Sequence, residues 1–99
     1  MEPSLTHEAF TKHVDTKFNV PVDDNRNVEL ELAEVSELTE WPGQEQFAVV
    51  FRGPNDVFLG QGTRSFEHDQ MGRFELLIVP IRQDQQGYYY EAVFNRFRQ

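Results

Sequence analysis

The amino-acid sequence predicts a mainly β, α+β fold: a curled antiparallel sheet or small barrel of about six strands with one short N-terminal helix. Two observations predict this class. Apolar runs recur between breaks spaced about 8–15 residues apart, and no long helical crossover connects them, as is typical of antiparallel meanders. The length of 99 residues and the 38% hydrophobic content suit one domain, residues 1–99, with a single core.

The N-terminal stretch SLTHEAFTKHV is typical of a short helix. Ser4 or Thr6 can cap it, Glu8 suits its first turn, and its apolar residues share one face. Two or three helical turns are not stable alone. We therefore expect this helix to lie as a lid over one end of the sheet.

The first two strands carry the signs of an edge and of a bend. Residues 16–22 alternate, and Pro21 indicates an edge strand because proline donates no ladder hydrogen bond. After a turn at residues 23–27, the strand 28–38 alternates until Val35, which comes one position later than alternation requires. One extra residue indicates a β-bulge, which bends a strand as closure of a sheet requires.

The remainder of the chain is predicted to hold four strands. Residues 39–46 are predicted to form a loop, and Pro80 is expected at a bulge or at the end of a ladder. The strands are predicted at residues 47–53, 63–68, 73–83 and 88–97.

The net charge of −8 is unevenly distributed. Residues 1–50 hold eleven acidic and three basic residues, whereas residues 51–99 hold six of each. An acidic chain repels phosphate, so neither nucleic acid nor an anionic membrane surface is an expected partner. The acidic half is expected to be a solvated face, with a docking surface for a basic partner as the alternative.

The composition also bears on the compartment. No apolar run approaches about 18 residues, so no membrane span is expected. The first residues lack the pattern of a secretory signal, and the chain has no cysteine. We expect a cytoplasmic location.

The stretch VFRGPNDVFLGQGTRSFEH joins two strand-like runs through a loop rich in glycine. A phosphate-binding loop requires further glycines and a helix N-terminus, but the bare GQG here leads into a strand. The stretch is therefore predicted to be a connecting loop. Its binding candidates are Arg52, Gly53, Pro54, Gln61 and Gly62.

The last strand, YYYEAVFN, is aromatic on both faces. Tyr88, Tyr90 and Phe94 share one face, and an exposed aromatic face would indicate a partner surface. Glu91 lies on the other face, where it is expected to pair with an arginine if buried. The binding candidates here are Tyr88, Tyr90, Glu91 and Phe94, together with the turn histidine His68.

Metal and catalytic sites are not expected. The acidic stretch from Asp23 to Glu34 has the oxygen spacing of a calcium loop, but Val28 stands where that loop requires glycine. His7 and His13 lie six residues apart, which does not make a helical metal pair. No sequence pattern pairs a nucleophile with a base. We therefore predict no metal ligand, no cofactor, no catalytic residue and no enzyme activity.

Several motifs resemble a family of small uncharacterised bacterial proteins, a domain-of-unknown-function group. They are LTHEAFTKHV, FRGP, QGT, EH, G-x-FEL-x-IVPI and YEAVFN, and together they span nearly the whole chain. The family has no established activity, so the resemblance implies no catalytic residue. Similar proteins are encoded near phage-tail-collar-like genes, which implies a role in the assembly of tail-like or contractile particles.

These observations favour a non-enzymatic interaction or assembly module. It would bind a protein partner, or itself, through an edge strand or through the aromatic face of residues 88–94. The alternative is a small-ligand-binding barrel with a pocket under the helix, lined by phenylalanines and closed by the loop 53–62. A calcium-assisted protein is the third hypothesis.

Overall fold

The computed structural model describes residues 5–97, and at positions 96 and 97 it describes the backbone. A short helix precedes seven strands, which confirms a mainly β fold with one N-terminal helix. The elements are α1 (His7–Thr11), β1 (Lys17–Asp23), β2 (Arg26–Val35), β3 (Thr39–Trp41), β4 (Gln44–Gly53), β5 (Gly62–His68), β6 (Gly72–Asp84) and β7 (Gly87–Phe97).

Six of the strands form a closed antiparallel barrel. Their order around the barrel is β1, β5, β6, β7, β4 and β2. Strand β2 pairs with β4 on one side and with β1 on the other, which closes the ring. Strand β3 adds to the outer edge of β4. The predicted small barrel of about six strands is thus confirmed.

The predicted bulge in β2 is confirmed and closes the barrel. Residues 26–31 of β2 pair with β1, and residues 31–35 pair with β4. The register with β4 shifts between Leu32 and Glu34, so Ala33 is the extra residue. Because a bulge bends a strand, β2 can leave one neighbour and meet the other.

The two strand prolines lie where ladder hydrogen bonds are not needed. The register of β6 with β7 shifts between Pro80 and Arg82, which confirms a bulge there. The prediction of an edge strand at Pro21 was wrong, since β1 has a neighbour on each side. Its single pair with β5 is Asn19 with Glu67, and Pro21 is exposed beyond that pair.

The predicted loop at residues 39–46 is instead a hairpin. Strand β3 pairs with the start of β4 across a two-residue turn of Pro42 and Gly43, and Gly43 adopts a φ of 81°. Proline followed by a positive-φ glycine is the type II turn pattern. All three residues of β3 are exposed, so no apolar alternation indicated a strand.

Helix α1 covers one end of the barrel, as expected, but it is shorter than the predicted stretch. The Thr6 hydroxyl caps it by accepting a hydrogen bond from the Ala9 N–H at 3.0 Å. Ser4, the other predicted cap, lies outside the described residues. The Phe10 ring is fully buried and contacts three rings of the barrel, those of Phe47, Phe74 and Phe94.

Candidate interaction surface

The predicted site residues do not form a single cluster. Arg52, Gly53 and Pro54 line a groove on the outside of the barrel, and His68 lies at the turn between β5 and β6. Gln61 and Gly62 lie where β5 begins, and the remaining candidates lie on β7. Three regions therefore carry the candidate chemistry: this groove, the His68 turn and the side of the barrel formed by β6 and β7.

The aromatic face of β7 points into the barrel, which corrects the expectation that it is exposed to a partner. Tyr90 is fully buried, and its hydroxyl accepts a hydrogen bond from the Leu59 N–H at 3.0 Å. Burial raises the pKa of Tyr90. Phe94 stacks on Phe47 with ring centroids 4.7 Å apart, and Tyr88 packs partly buried against the core. Closure of the barrel turned this face inward.

The phenylalanines expected to line a ligand pocket pack against one another instead. The rings of Phe18 and Phe51 lie 5.3 Å apart, and those of Phe51 and Phe66 lie 4.9 Å apart. Phe74 stacks on Phe66 at 5.8 Å. Such ring contacts stabilise the core beyond the burial of apolar area. The space under the helix is therefore filled by side chains.

The loop between β4 and β5 is held by its own contacts. The Asn55 amide donates to the carbonyls of Asp84 and Gln85 at 3.2 and 3.1 Å, and buried Leu59 anchors the loop to the core. An added Cβ at Gly60 or Gly62 would meet no atom within 4 Å, and neither residue has a positive φ. The loop thus connects two strands, and neither glycine of GQG is needed for its backbone conformation or for close packing.

The groove beside this loop, which we call the Arg52 groove, has a volume of about 610 Å³. At its base the Arg52 guanidinium forms an ion pair with Glu31, which raises the pKa of Arg52. A larger residue at Gly53 would displace a core side chain, since an added Cβ would come within 2.6 Å of Leu30 Cδ2. The other lining residues are Lys17, Asn27, Val28, Glu29, Pro54, Asp56, Val57 and Gln86.

Strands β6 and β7 pair along only part of their length. Their ladder runs from Asp84 with Gly87 to Val79 with Glu91. Beyond that pair, residues 72–78 are joined to β5 and residues 92–97 to β4, and no ladder pair joins the two stretches within the described chain. We call this opening the β6–β7 seam.

The β6–β7 seam forms an apolar groove of about 290 Å³ on the outside of the barrel. Leu77 and Val93 are 56% and 51% exposed, so both present apolar surface to solvent. Behind the seam, Phe10 of the helix contacts both Phe74 of β6 and Phe94 of β7. The groove residues are Leu76, Leu77, Val79, Glu91, Ala92, Val93 and Phe94.

Glu91 is the one carboxylate of the seam groove. It is half-buried on the outer face, where its cross-strand neighbours are Val79 and Val50. The expected pairing with an arginine applied to a buried Glu91, and this side chain is only half-buried; no cation lies within ion-pair distance of it among the described side chains. The groove therefore combines apolar surface with a carboxylate that has no cation partner among the described side chains.

His68 organises the turn between β5 and β6. Its Nδ1 accepts hydrogen bonds from the Gln70 and Met71 N–H groups at 3.0 and 3.1 Å. The proton therefore lies on Nε2, which donates to the Thr16 hydroxyl at 3.0 Å, and that hydroxyl donates to the His13 carbonyl at 2.6 Å. Burial, and next the nearby His13, lower the pKa of His68.

The acidic residues of the stretch from Asp23 to Glu34 do not come together as cation ligands in the described part of the chain. Asp23 instead accepts from the Asn25 N–H at 2.9 Å and pairs with Arg26, and these contacts lower its pKa. Within residues 5–97, no three histidine or carboxylate side chains come together as metal ligands would. The same part of the chain has no helix with the length and apolarity needed to cross a bilayer.

The fold and its surfaces define a small antiparallel β-barrel domain with a helix over one end and an open apolar seam on one side. The chain belongs to the family described as domain of unknown function DUF6916, whose model matches residues 5–94. Comparisons with curated proteins and with solved structures found no match.

Proposed function

We propose that the protein is a non-enzymatic interaction module that binds an extended segment of a partner protein along the β6–β7 seam. The observation that carries this proposal is the apolar groove at the point where the β6–β7 ladder stops. Half-exposed Leu77 of β6 and half-exposed Val93 of β7 both line that groove. An exposed strand edge is a template for pairing with another chain.

The shape of the seam favours an extended occupant. Two strand stretches of six and seven residues border it, and each is paired on its other side only. A partner segment that runs along either edge would gain backbone hydrogen bonds, and its alternate side chains would point into the groove.

The charge of the seam favours a basic occupant. Glu91 has no described cation partner, and the chain as a whole carries a net charge of −8. A lysine or arginine of the partner would meet Glu91, while neighbouring apolar residues would cover Leu77 and Val93. Opposite charge raises association rates and disfavours wrong partners.

A non-enzymatic role is supported by what the histidines do. His68 is engaged by two backbone N–H groups and a threonine, and the His7 Nε2 donates to the Ser36 carbonyl at 2.8 Å. Both are used in holding the fold. The resemblance to proteins encoded near phage-tail-collar-like genes makes a component of a tail-like particle the first partner to test.

The experiment is a selection of random ten-residue peptides displayed on ribosomes, with the protein immobilised. We expect enriched peptides to alternate apolar residues and to include lysine or arginine. Leu77→Lys and Val93→Lys should each weaken their binding about tenfold or more. Ile81→Lys is the matched control, because Ile81 is also on β6 and is 44% exposed but lies outside the groove.

Two results would overturn the proposal. One is a selection that enriches no peptide above background, and the other is a set of peptides that bind Leu77→Lys as tightly as the unmodified protein. Sedimentation of the chain alone tests self-association. A dimer that Val93→Lys dissociates would show that a second copy, and not a different protein, occupies the seam.

A second candidate function is binding of a small ligand in the Arg52 groove. Its support is the volume of about 610 Å³ and the mixed charge of Lys17, Arg52 and Asp56 along its walls. A thermal-shift screen of small zwitterions and carboxylates tests it. A stabilising compound should lose its effect in Lys17→Ala and keep it in Lys12→Ala, a change of an exposed lysine elsewhere. Equal shifts in both variants would exclude the groove.

A further inference from the structure

The turn between β5 and β6 is held by hydrogen bonds to the imidazole of His68, a base that can be protonated. Two other hairpin turns use the same arrangement with an aspartate, since Asp84 accepts from the Gln86 and Gly87 N–H groups and Asp23 accepts from the Asn25 N–H. At the β5–β6 turn this acceptor is His68 Nδ1. A carboxylate keeps its lone pairs throughout the neutral and mildly acidic range, whereas an imidazole does not.

We propose that protonation of His68 releases the Gln70 and Met71 N–H groups and so opens the β5–β6 turn, while the Nε2–H keeps its hydrogen bond to Thr16 in the segment that links helix α1 to β1. The inference stands independently of the proposed partner binding. An imidazolium has N–H groups at both nitrogens and no acceptor. The Gln70 and Met71 N–H groups would then face a third N–H group instead of a lone pair.

The position of Met71 extends the effect into the core. Its side chain is buried at 8% exposure, and its backbone N–H is one of the two that His68 holds. If the turn opens, Met71 leaves the core. The imidazole of His68 also packs between two rings. Its centroid lies 4.4 Å from that of Phe18 and 4.6 Å from that of His13, so a charge on His68 is poorly solvated.

The titratable groups that face His68 shift its pKa in opposite directions. His13, from the segment after α1, disfavours a positive charge on His68, whereas Asp69 of its own turn favours one. The groups that β1 contributes, Thr16 and Phe18, do not titrate. The anchor at the start of the helix behaves differently, since the His7 Nε2 donates to a carbonyl and an imidazolium can still donate. Acid therefore acts within the β5–β6 turn, at the two N–H groups that His68 Nδ1 accepts.

Hydrogen exchange of the whole chain at about pH 7.5 and pH 5.0, corrected for the intrinsic exchange rates, tests this inference. Proton NMR of the histidine C2–H signals, run in parallel, reports when His68 is protonated. We expect the protection of the Gln70 and Met71 amides to fall about tenfold or more once His68 is protonated, as the loss of a hydrogen bond implies. The Gln86 and Gly87 amides of the Asp84 turn should keep their protection.

His68→Asn is the matched variant, because an asparagine oxygen can accept from the amide two residues later but does not titrate in this range. Its turn amides should show the same protection at both pH values. His13→Gln tests the facing group and should raise the pKa of His68 in the NMR titration. The inference is wrong if the turn amides of the unmodified protein stay protected while His68 is protonated. It is equally wrong if the same loss of protection occurs in His68→Asn.

Discussion

The turns at the two ends of β6 use the same hydrogen bonds but different acceptors. At one end His68 Nδ1 accepts from the amides two and three residues later, and at the other end Asp84 Oδ1 does so. The amide of Gln86, more than any other group, lowers the pKa of Asp84, whereas burial lowers that of His68. The comparison shows that equivalent geometry does not give equivalent dependence on pH.

The glycines that end these turns offer the largest effect. Gly72 and Gly87 both have positive φ, but an added Cβ at Gly87 would come within 2.0 Å of the Gly53 carbonyl oxygen, whereas at Gly72 it would meet nothing within 4 Å. Gly87→Ala should therefore lower the free energy of unfolding by about 3 kcal/mol or more. Gly72→Ala should cost about 1 kcal/mol. Urea unfolding measures both, and equal costs would contradict this reading of the two turns.

Tyr90→Phe probes the barrel end that holds the Asp84 turn. Without the hydroxyl, the Leu59 N–H loses its acceptor inside the protein, and we expect a loss of about 2 kcal/mol in the free energy of unfolding. Tyr88→Phe is the control, because the Tyr88 hydroxyl has no hydrogen bond among the described residues, and it should cost little. A Tyr90→Phe variant as stable as the parent would show that Leu59 is not held in this way.

Stability between about pH 7.5 and pH 5.0 should separate the two acceptors. Because the pKa of His68 in the folded state lies below its ordinary 6.5, its contribution is complete above pH 6.5 and is lost as the pH falls toward the folded pKa. The pKa of Asp84 lies below 3.8, so its contribution persists until the pH falls below that value.

We expect the unmodified protein to lose about 1 kcal/mol across this range through His68. Unfolding in urea at several pH values measures this loss. His68→Asn should flatten the dependence, and Asp84→Asn should lower stability without changing the slope. A slope that is the same with and without His68 would assign the titration to another group.

The smallest expected effect is at Tyr89. Its hydroxyl donates to Asp84 Oδ2 at 3.0 Å and is one of the contacts that lower the pKa of Asp84. Tyr89→Phe should raise that pKa toward 3.8, as measured by NMR titration of the carboxylate, and should leave stability nearly unchanged. The ring of the variant still lies under Arg82, so the cation–π contact is retained. An unchanged pKa would mean that the backbone amides of Gln86 and Gly87 and the charge of Arg82 lower the pKa of Asp84 without help from Tyr89.

The strands of the barrel were largely predictable because their patterns are local. Alternation located six strands, and the late apolar Val35 indicated the bulge that the register with β4 confirms. Strand β3 was missed because all its residues are exposed. Alternation on β7 separated two faces but did not show which one lies inside, since both carry aromatic residues. Exposure does not separate them either, because Tyr89 lies on the outer face and is still only 4% exposed.

The candidate sites depend on contacts between distant parts of the chain. The turn histidine was visible in the sequence, but its tautomer depends partly on Thr16, which lies 52 residues away. The β6–β7 seam exists because one ladder ends at Val79 and Glu91, and no residue pattern marks that point. Single-residue chemistry was therefore predictable, whereas the groups that surround each residue were not.

The extra alanine of β2 has a consequence for how sequences with this fold can vary. Without Ala33, Leu32 and Glu34 would stand opposite Phe51 and Val50 in regular pairing, and every side chain would keep its face. The bend that lets β2 serve both β1 and β4 would be lost. Selection at this position would thus act more strongly against loss of the codon than against its replacement by another. We therefore expect deletion of the half-buried Ala33 to destabilise the barrel more than its substitution does.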